Sequence, residues 1–166
     1  MRSPMTDSRA TTAEELPQGD VSLLDHPVAQ ELPNSAIPAR LGYVALDGTP
    51  RVTPIWFSWT GEEFVFGAAG GSPKVKALLA SPPVAVTIDT ETAPYKILLV
   101  RGRARVEIVE GVVEEYAEAA LRYFGPEKGA RFRDHAKTSF TGMARITVKP
   151  EWVGLIDFQT RYPSAF

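Results

Sequence analysis

The sequence predicts a mainly β protein with a few helices, its six or seven mostly antiparallel strands forming a small closed or nearly closed barrel. Two observations lead there. From Ile37 onward the chain reads as strands punctuated by turns, with Asp47-Gly48 and Thr60-Gly61-Glu62-Glu63 spaced for hairpins. Helical periodicity is confined to short segments between the strands. With 166 residues, 44% of them hydrophobic, the chain suits one domain with a sizeable core.

Residues 1–34 hold six acidic side chains against Arg2 and Arg9, which reads as an acidic, flexible or loosely docked N-terminal arm before a domain over 35–166. Within the arm, Val21 to Leu32 suits one or two short helices on the domain edge. Leu41 to Leu46 is the first expected strand, and Asp47-Gly48 turns it into Arg51 to Trp59. Pro54 lies in that second strand, and because proline cannot donate to a ladder it implies an edge, a bulge or an opening where a flat ligand can slide against the backbone. Phe64 to Phe66 follows the second hairpin. Ser81-Pro82-Pro83 stops a short helix, and Val84 to Ile88 alternates as a strand. Lys96 to Val109 is long enough to bend, with Gly102 as the bending point. Its second half sets Arg103, Arg105 and Glu107 on a wet face against Ala104, Val106 and Ile108; the arginines read as a solvated face or as a basic lining. Val113, Tyr116, Ala117, Ala120 and Phe124 recur at helical spacing up to Gly125-Pro126, and a second helix is expected over 127–136. Met143 to Val148 and Trp152 to Phe158 close the chain as two strands.

The segment between Phe66 and the short helix carries the strongest functional signal. It reads Gly67-Ala68-Ala69-Gly70-Gly71-Ser72-Pro73-Lys74-Val75-Lys76. Ser72 is a good N-cap and Pro73 suits the first helical position. Lysines in a first turn face the positive end of the helix dipole, an unfavourable placement that a bound anion offsets. A phosphate held by backbone N–H groups and Lys74 is one such anion. Exposed lysines at helix starts and tight Gly/Ala connections are also common without any ligand.

Composition excludes several classes. A net charge of −2 provides no general attraction to nucleic acid. There is no cysteine, and His26 and His135 lie far apart, so neither thiol chemistry nor a metal centre is expected. No apolar run reaches transmembrane length and no secretory signal is evident, so a cytoplasmic setting without membrane contact is expected. No catalytic triad or carboxylate pair is visible, which leaves catalytic residues unassigned.

Over roughly Ile37 to Phe158 the chain resembles the split-barrel, FMN-binding family of pyridoxamine 5′-phosphate oxidase and its deazaflavin-dependent relatives. The resemblance rests on Arg51-Val52-Thr53-Pro54-Ile55-Trp56, on Phe66 to Gly71 with Ala68, Ala69 and Gly70, and on Ser72-Pro73-Lys74. It implies that the backbone of 51–56 runs along the isoalloxazine ring and that Ser72 and Lys74 hold the phosphate. Pro73 replaces an arginine of the oxidases, so Lys76 and Arg51 become the candidates for completing that site. The resemblance further implies a homodimer with the cofactor cleft at the interface, FMN as cofactor or the deazaflavin coenzyme F-420 instead, and a small-molecule substrate. Ile97 stands where the oxidases carry a glutamine, and the tail Trp152 to Arg161 lacks their Arg-x-His pattern, so vitamin B6 is not the expected substrate. The implied activity is a flavin-dependent oxidoreductase. The alternative is a non-enzymatic protein that stores, carries or senses a flavin or a haem-type tetrapyrrole. Trp56, Trp59 and Tyr95 are candidates for a stacking wall, and equally for core or dimer aromatics.

Overall fold

Antiparallel pairing dominates the computed structural model, which describes residues 16–161. Seven strands run as β1 (Ala39–Val44), β2 (Pro50–Ile55), β3 (Phe57–Trp59), β4 (Phe64–Ala69), β5 (Pro83–Asp89), β6 (Lys96–Glu110) and β7 (Gly142–Asp157). Four α-helices accompany them: α1 (Pro27–Glu31), α2 (Pro73–Ala80), α3 (Glu114–Phe124) and α4 (Pro126–Ser139). The strand order is β2-β1-β5-β6-β7-β4-β3. Its two edge strands are consecutive in sequence and joined by Trp56 alone, so the sheet must roll until its edges meet there. This is the split-barrel fold.

The expected strand over 51–59 is therefore two strands. Ile55 pairs with Ala39 on β1, whereas Phe57 pairs with Phe66 on β4, and the chain changes edges at Trp56. Pro54 lies opposite Arg40 on edge strand β2, where its missing N–H breaks no central ladder. Asp47-Gly48 turns as expected: Gly48 has φ of 79°, and Thr49 N–H donates to the Asp47 carboxylate at 2.9 Å.

The two closing strands predicted over 143–158 are instead one, β7. Pro150 is absorbed because the β6–β7 register shifts between Arg101 and Gly102, which leaves Glu151 unpaired. Gly102 is the close approach: a Cβ there would lie 2.5 Å from the Lys149 carbonyl oxygen. β4 also runs three residues past Phe66, because Gly67, Ala68 and Ala69 find partners in Arg145, Ala144 and Met143 on the long β7.

The barrel interior holds Leu41, Phe57, Phe64, Phe66, Leu78, Ile88, Leu98, Ile146 and Leu155, all fully buried. Leu23, Ala29 and Leu32 from the N-terminal segment join them. The described part of the expected arm, 16–34, is thus packed rather than loose, while 1–15 lie outside the described residues. Its attachment is polar as well as apolar. Leu155 N–H donates to the Gln18 side-chain amide oxygen at 2.8 Å, the Gln18 amide nitrogen donates to Leu155 O at 2.6 Å, and Gly19 N–H donates to Val153 O at 2.8 Å. These bonds satisfy backbone groups of β7 beyond the end of its pairing with β4. Among the described residues no helix is long and apolar enough to cross a membrane.

Candidate functional site

Strand alternation divides the 51–56 segment between two faces. Arg51, Thr53 and Ile55 stand opposite Tyr43, Leu41 and Ala39, while Val52 and Pro54 stand opposite Gly42 and Arg40. Val52 is 72% exposed. Ala68 and Ala69 end β4 instead of belonging to the loop, which shrinks to Gly70-Gly71 before the cap. Gly71 has open space around its Cα.

The helix start forms as the sequence predicts. Ser72 Oγ accepts from Val75 N–H at 3.4 Å, and Ser72 N–H donates to Ala69 O at 3.0 Å. With Ser72 spent on the cap, Lys74 is the cation of the first turn with nothing to answer it. It is half-buried, has no ion-pair partner among the described residues, and desolvation lowers its ammonium pKa. Lys76 is exposed, and residues two apart on a helix point in different directions, so the two lysines do not converge.

A cavity of about 290 Å³ lies between the β1–β2 hairpin and the start of α2, lined by Tyr43, Ala45, Leu46, Asp47, Arg51 and Pro73. The fold thus brings Arg51 to the N-terminus of α2, 22 positions along the chain. Arg51 is held at its mouth by Asp47, with the guanidinium 3.0 Å from the carboxylate. Thr49, through its hydroxyl and its N–H, holds the Asp47 carboxyl below its usual range, with Arg51 adding to the effect. Tyr43 carries no site signal in the sequence and Asp47 only that of a turn residue, although the hairpin register that puts Tyr43 beside Arg51 follows from the Asp47-Gly48 turn.

A second cavity, of about 390 Å³, is lined by Pro38, Pro54, Ile55, Trp56 and Tyr116. Trp56 is the centre of an aromatic cluster. Tyr123 stacks on it at 4.7 Å and 6° between planes, and Phe124 and Phe132 meet it edge-on at 4.8 and 5.5 Å. Tyr116 reaches the cavity because Gly67 leaves room beneath it; a Cβ on Gly67 would lie 2.8 Å from that of Tyr116. No sequence signal links position 67 to 116, since the contact forms only when α3 lies across β4. Trp59 packs on Phe64 at 4.5 Å and Tyr95 on Phe158 at 5.8 Å, and neither lines either of these two cavities.

α3 is fastened over the sheet by a charged pair. Arg145 Nε and Nη2 donate to Glu115 Oε1 at 3.0 and 2.5 Å, with less than a third of either side chain exposed. The Arg145 hydrogen bonds hold the Glu115 carboxyl below its ordinary value of 4.5. A depressed carboxylate pKa contributes stability that is present above the unfolded value and lost as pH falls through the folded one. Urea midpoints should therefore drop between neutral pH and about pH 3.5, and Glu115→Gln should remove part of that drop. An identical pH dependence in the variant would dissociate the pair from acid stability.

Residues 26–157 match the family model of pyridoxamine 5′-phosphate oxidase. Among solved structures, an F-420 reductase is 29% identical with a TM-score of 0.58, over 75% of this chain and 94% of that one. A conserved hypothetical protein of Mycobacterium tuberculosis is 19% identical with a TM-score of 0.65, over 85% and 91%. The haem storage protein HutZ of Vibrio cholerae is 19% identical with a TM-score of 0.57, over 80% and 93%. The last two likenesses concern the fold alone. No curated protein matches the chain.

Proposed function

Because the chain belongs to the pyridoxamine 5′-phosphate oxidase family, we propose that it is a flavin-dependent oxidoreductase acting on a small organic substrate other than a B6 vitamer. The observation that carries the reading is Lys74, a half-buried cation left without an ion-pair partner among the described residues in the first turn of α2, next in the chain to Pro73, which lines a cavity with Arg51. A phosphate there meets the positive end of the helix dipole and returns to Lys74 the charge stabilisation that burial removes. The donor set fits a phosphate-tailed cofactor, FMN first and coenzyme F-420 second. When bound, such a group supplies hydride transfer. The chain's own contribution is to anchor the tail with Lys74 and Arg51, to present the backbone of 53–56, the end of β2 and the junction after it, along the ring, and to wall off water with Trp56.

A second copy completes the cleft in this reading. Val52 at 72% and Leu46 at 64% exposure project from the β1–β2 hairpin, and Val44 and Pro54 add to an apolar surface that a monomer leaves in water. The likeness to an F-420 reductase supports the redox reading, while the fold shared with a haem storage protein keeps storage or sensing as the second one.

The absorption spectrum of the purified protein tests the cofactor, because flavin, deazaflavin and haem absorb differently. The expected result is a flavin or deazaflavin spectrum, a dimer by sedimentation, and negligible oxidation of pyridoxamine phosphate. A haem spectrum without flavin uptake would favour the storage protein, and vigorous flavin-dependent formation of pyridoxal phosphate would overturn the substrate assignment.

A further inference from the structure

A third cavity, of about 380 Å³, opens at the C-terminal end of β3, between the N-terminal segment, the β3–β4 turn and β7. It shares no lining residue with the other two. Leu24, Trp59 and Pro150 supply an apolar wall, and Trp59 is backed by the fully buried Phe64, 4.5 Å away between ring centroids. Asp25, Glu62 and Lys149 bring charge to the lining from three separate stretches of chain. None of these three side chains makes a hydrogen bond or an ion pair among the described residues. The neighbouring acid does: Glu63 lies 3.5 Å from Arg105, which leaves Glu62 over. On β6, Arg103 stands directly opposite Lys149, so the two cations share one face of the sheet. Arg103 likewise has no acidic partner among the described residues, and like charges directly opposite one another destabilise a strand pair.

We infer that this cavity is a ligand site of its own, and that it takes a small zwitterion with an apolar body, the chemistry of a free amino acid with an aromatic or other apolar side chain. Charge decides the class. A simple cation would be drawn to Asp25 and Glu62 but repelled by Lys149 and Arg103, and a simple anion would meet the reverse. A ligand carrying both signs answers the carboxylates with its ammonium and relieves the opposed cations with its carboxylate. Trp59 serves both ends of such a molecule. Its ring offers an apolar surface to the side chain and a favourable face to the ammonium. The volume lies at the lower end of the about 300–1,000 Å³ of small-molecule sites, which suits one amino acid rather than a longer peptide. The inference stands apart from the cofactor reading, since none of the residues given to the cofactor lines this cavity.

Three related probes test it: L-phenylalanine carries both charges, phenethylamine only the ammonium, and 3-phenylpropionate only the carboxylate. Their affinities for the full-length protein are measured by ligand-observed NMR titration at low ionic strength. L-Phenylalanine is expected to bind about 3- to 10-fold more tightly than either analogue, the scale of one solvent-accessible charged contact at its upper end. Lys149→Gln should bring L-phenylalanine down to the affinity of phenethylamine without weakening phenethylamine itself. Asp25→Asn combined with Glu62→Gln should bring it down to that of 3-phenylpropionate. All three residues are exposed, so these variants keep the fold. Added FMN should leave every affinity unchanged. Equal affinity for the three probes, no binding of L-phenylalanine, or a preference for it that survives both variants would each overturn the inference. Competition by FMN would overturn it as well, because the probes would then occupy the cofactor site.

Discussion

Phe66→Ala is expected to cost about 3–5 kcal/mol of folding stability, the range for deleting a buried aromatic side chain. Phe66 is fully buried, pairs with Phe57 across β3–β4 and with Ile146 across β4–β7, and its ring lies 6.4 Å from that of Phe57. Because it joins the edge strand β3 to the rest of the sheet, the cavity it leaves loosens the seam at Trp56 as well as the core. A domain stability of about 5–15 kcal/mol leaves little after such a loss. Urea denaturation of the wild type and variant measures it, with Phe124→Ala as the comparison, since Phe124 is 46% exposed and should cost less. A loss under about 1 kcal/mol for Phe66→Ala would mean that the barrel does not close through this contact.

Lys74→Ala is expected to weaken FMN binding by about 1.5–3 kcal/mol, or roughly 10- to 150-fold, the scale of a charge-assisted contact. Lys76→Ala should cost less, because its side chain points elsewhere. Partial burial of an ammonium with no ion-pair partner among the described residues is a cost to the empty protein, so Lys74→Ala should leave the unliganded protein as stable as before or slightly more so. A residue with a purely structural role would behave oppositely. Calorimetric titration with FMN and thermal melts without it give both halves of this prediction. Unchanged affinity in both single variants and in the double variant would remove the phosphate site.

Much of this fold is legible in one dimension because its determinants are local. Asp47-Gly48 specifies a tight turn by backbone conformation, Ser72-Pro73 specifies a helix start by capping, and Gly125-Pro126 ends α3, with Gly125 at φ of 81°. The break at Trp56 was not legible. Ile55 and Phe57 are both good strand residues, and only the separate partners waiting on β1 and β4 make the chain change edges between them. The continuation of β7 through Pro150 was hidden for the same reason, because the register shift at Gly102 that tolerates it belongs to the facing strand.

The site divides in the same way. Sequence alone determined the chemistry available: a small-residue turn, a capped helix start bearing Lys74, a strand with Arg51 and Pro54, and neither thiols nor paired histidines, a set that points to a bound anion. These are properties of residue type and near-neighbour spacing, which the chain carries before it folds. Only the tertiary structure decided which groups meet. It brought Arg51 and Pro73 to the lining of one cavity, spent the Ser72 hydroxyl on a cap, left Lys74 half-buried without an ion-pair partner among the described residues, and laid Tyr116 over Gly67 so that an uncharged cavity opens beside Trp56. Such meetings depend on strand order and on where α3 crosses the sheet. Both are set by burial of the whole apolar surface at once, so no local stretch of sequence encodes them.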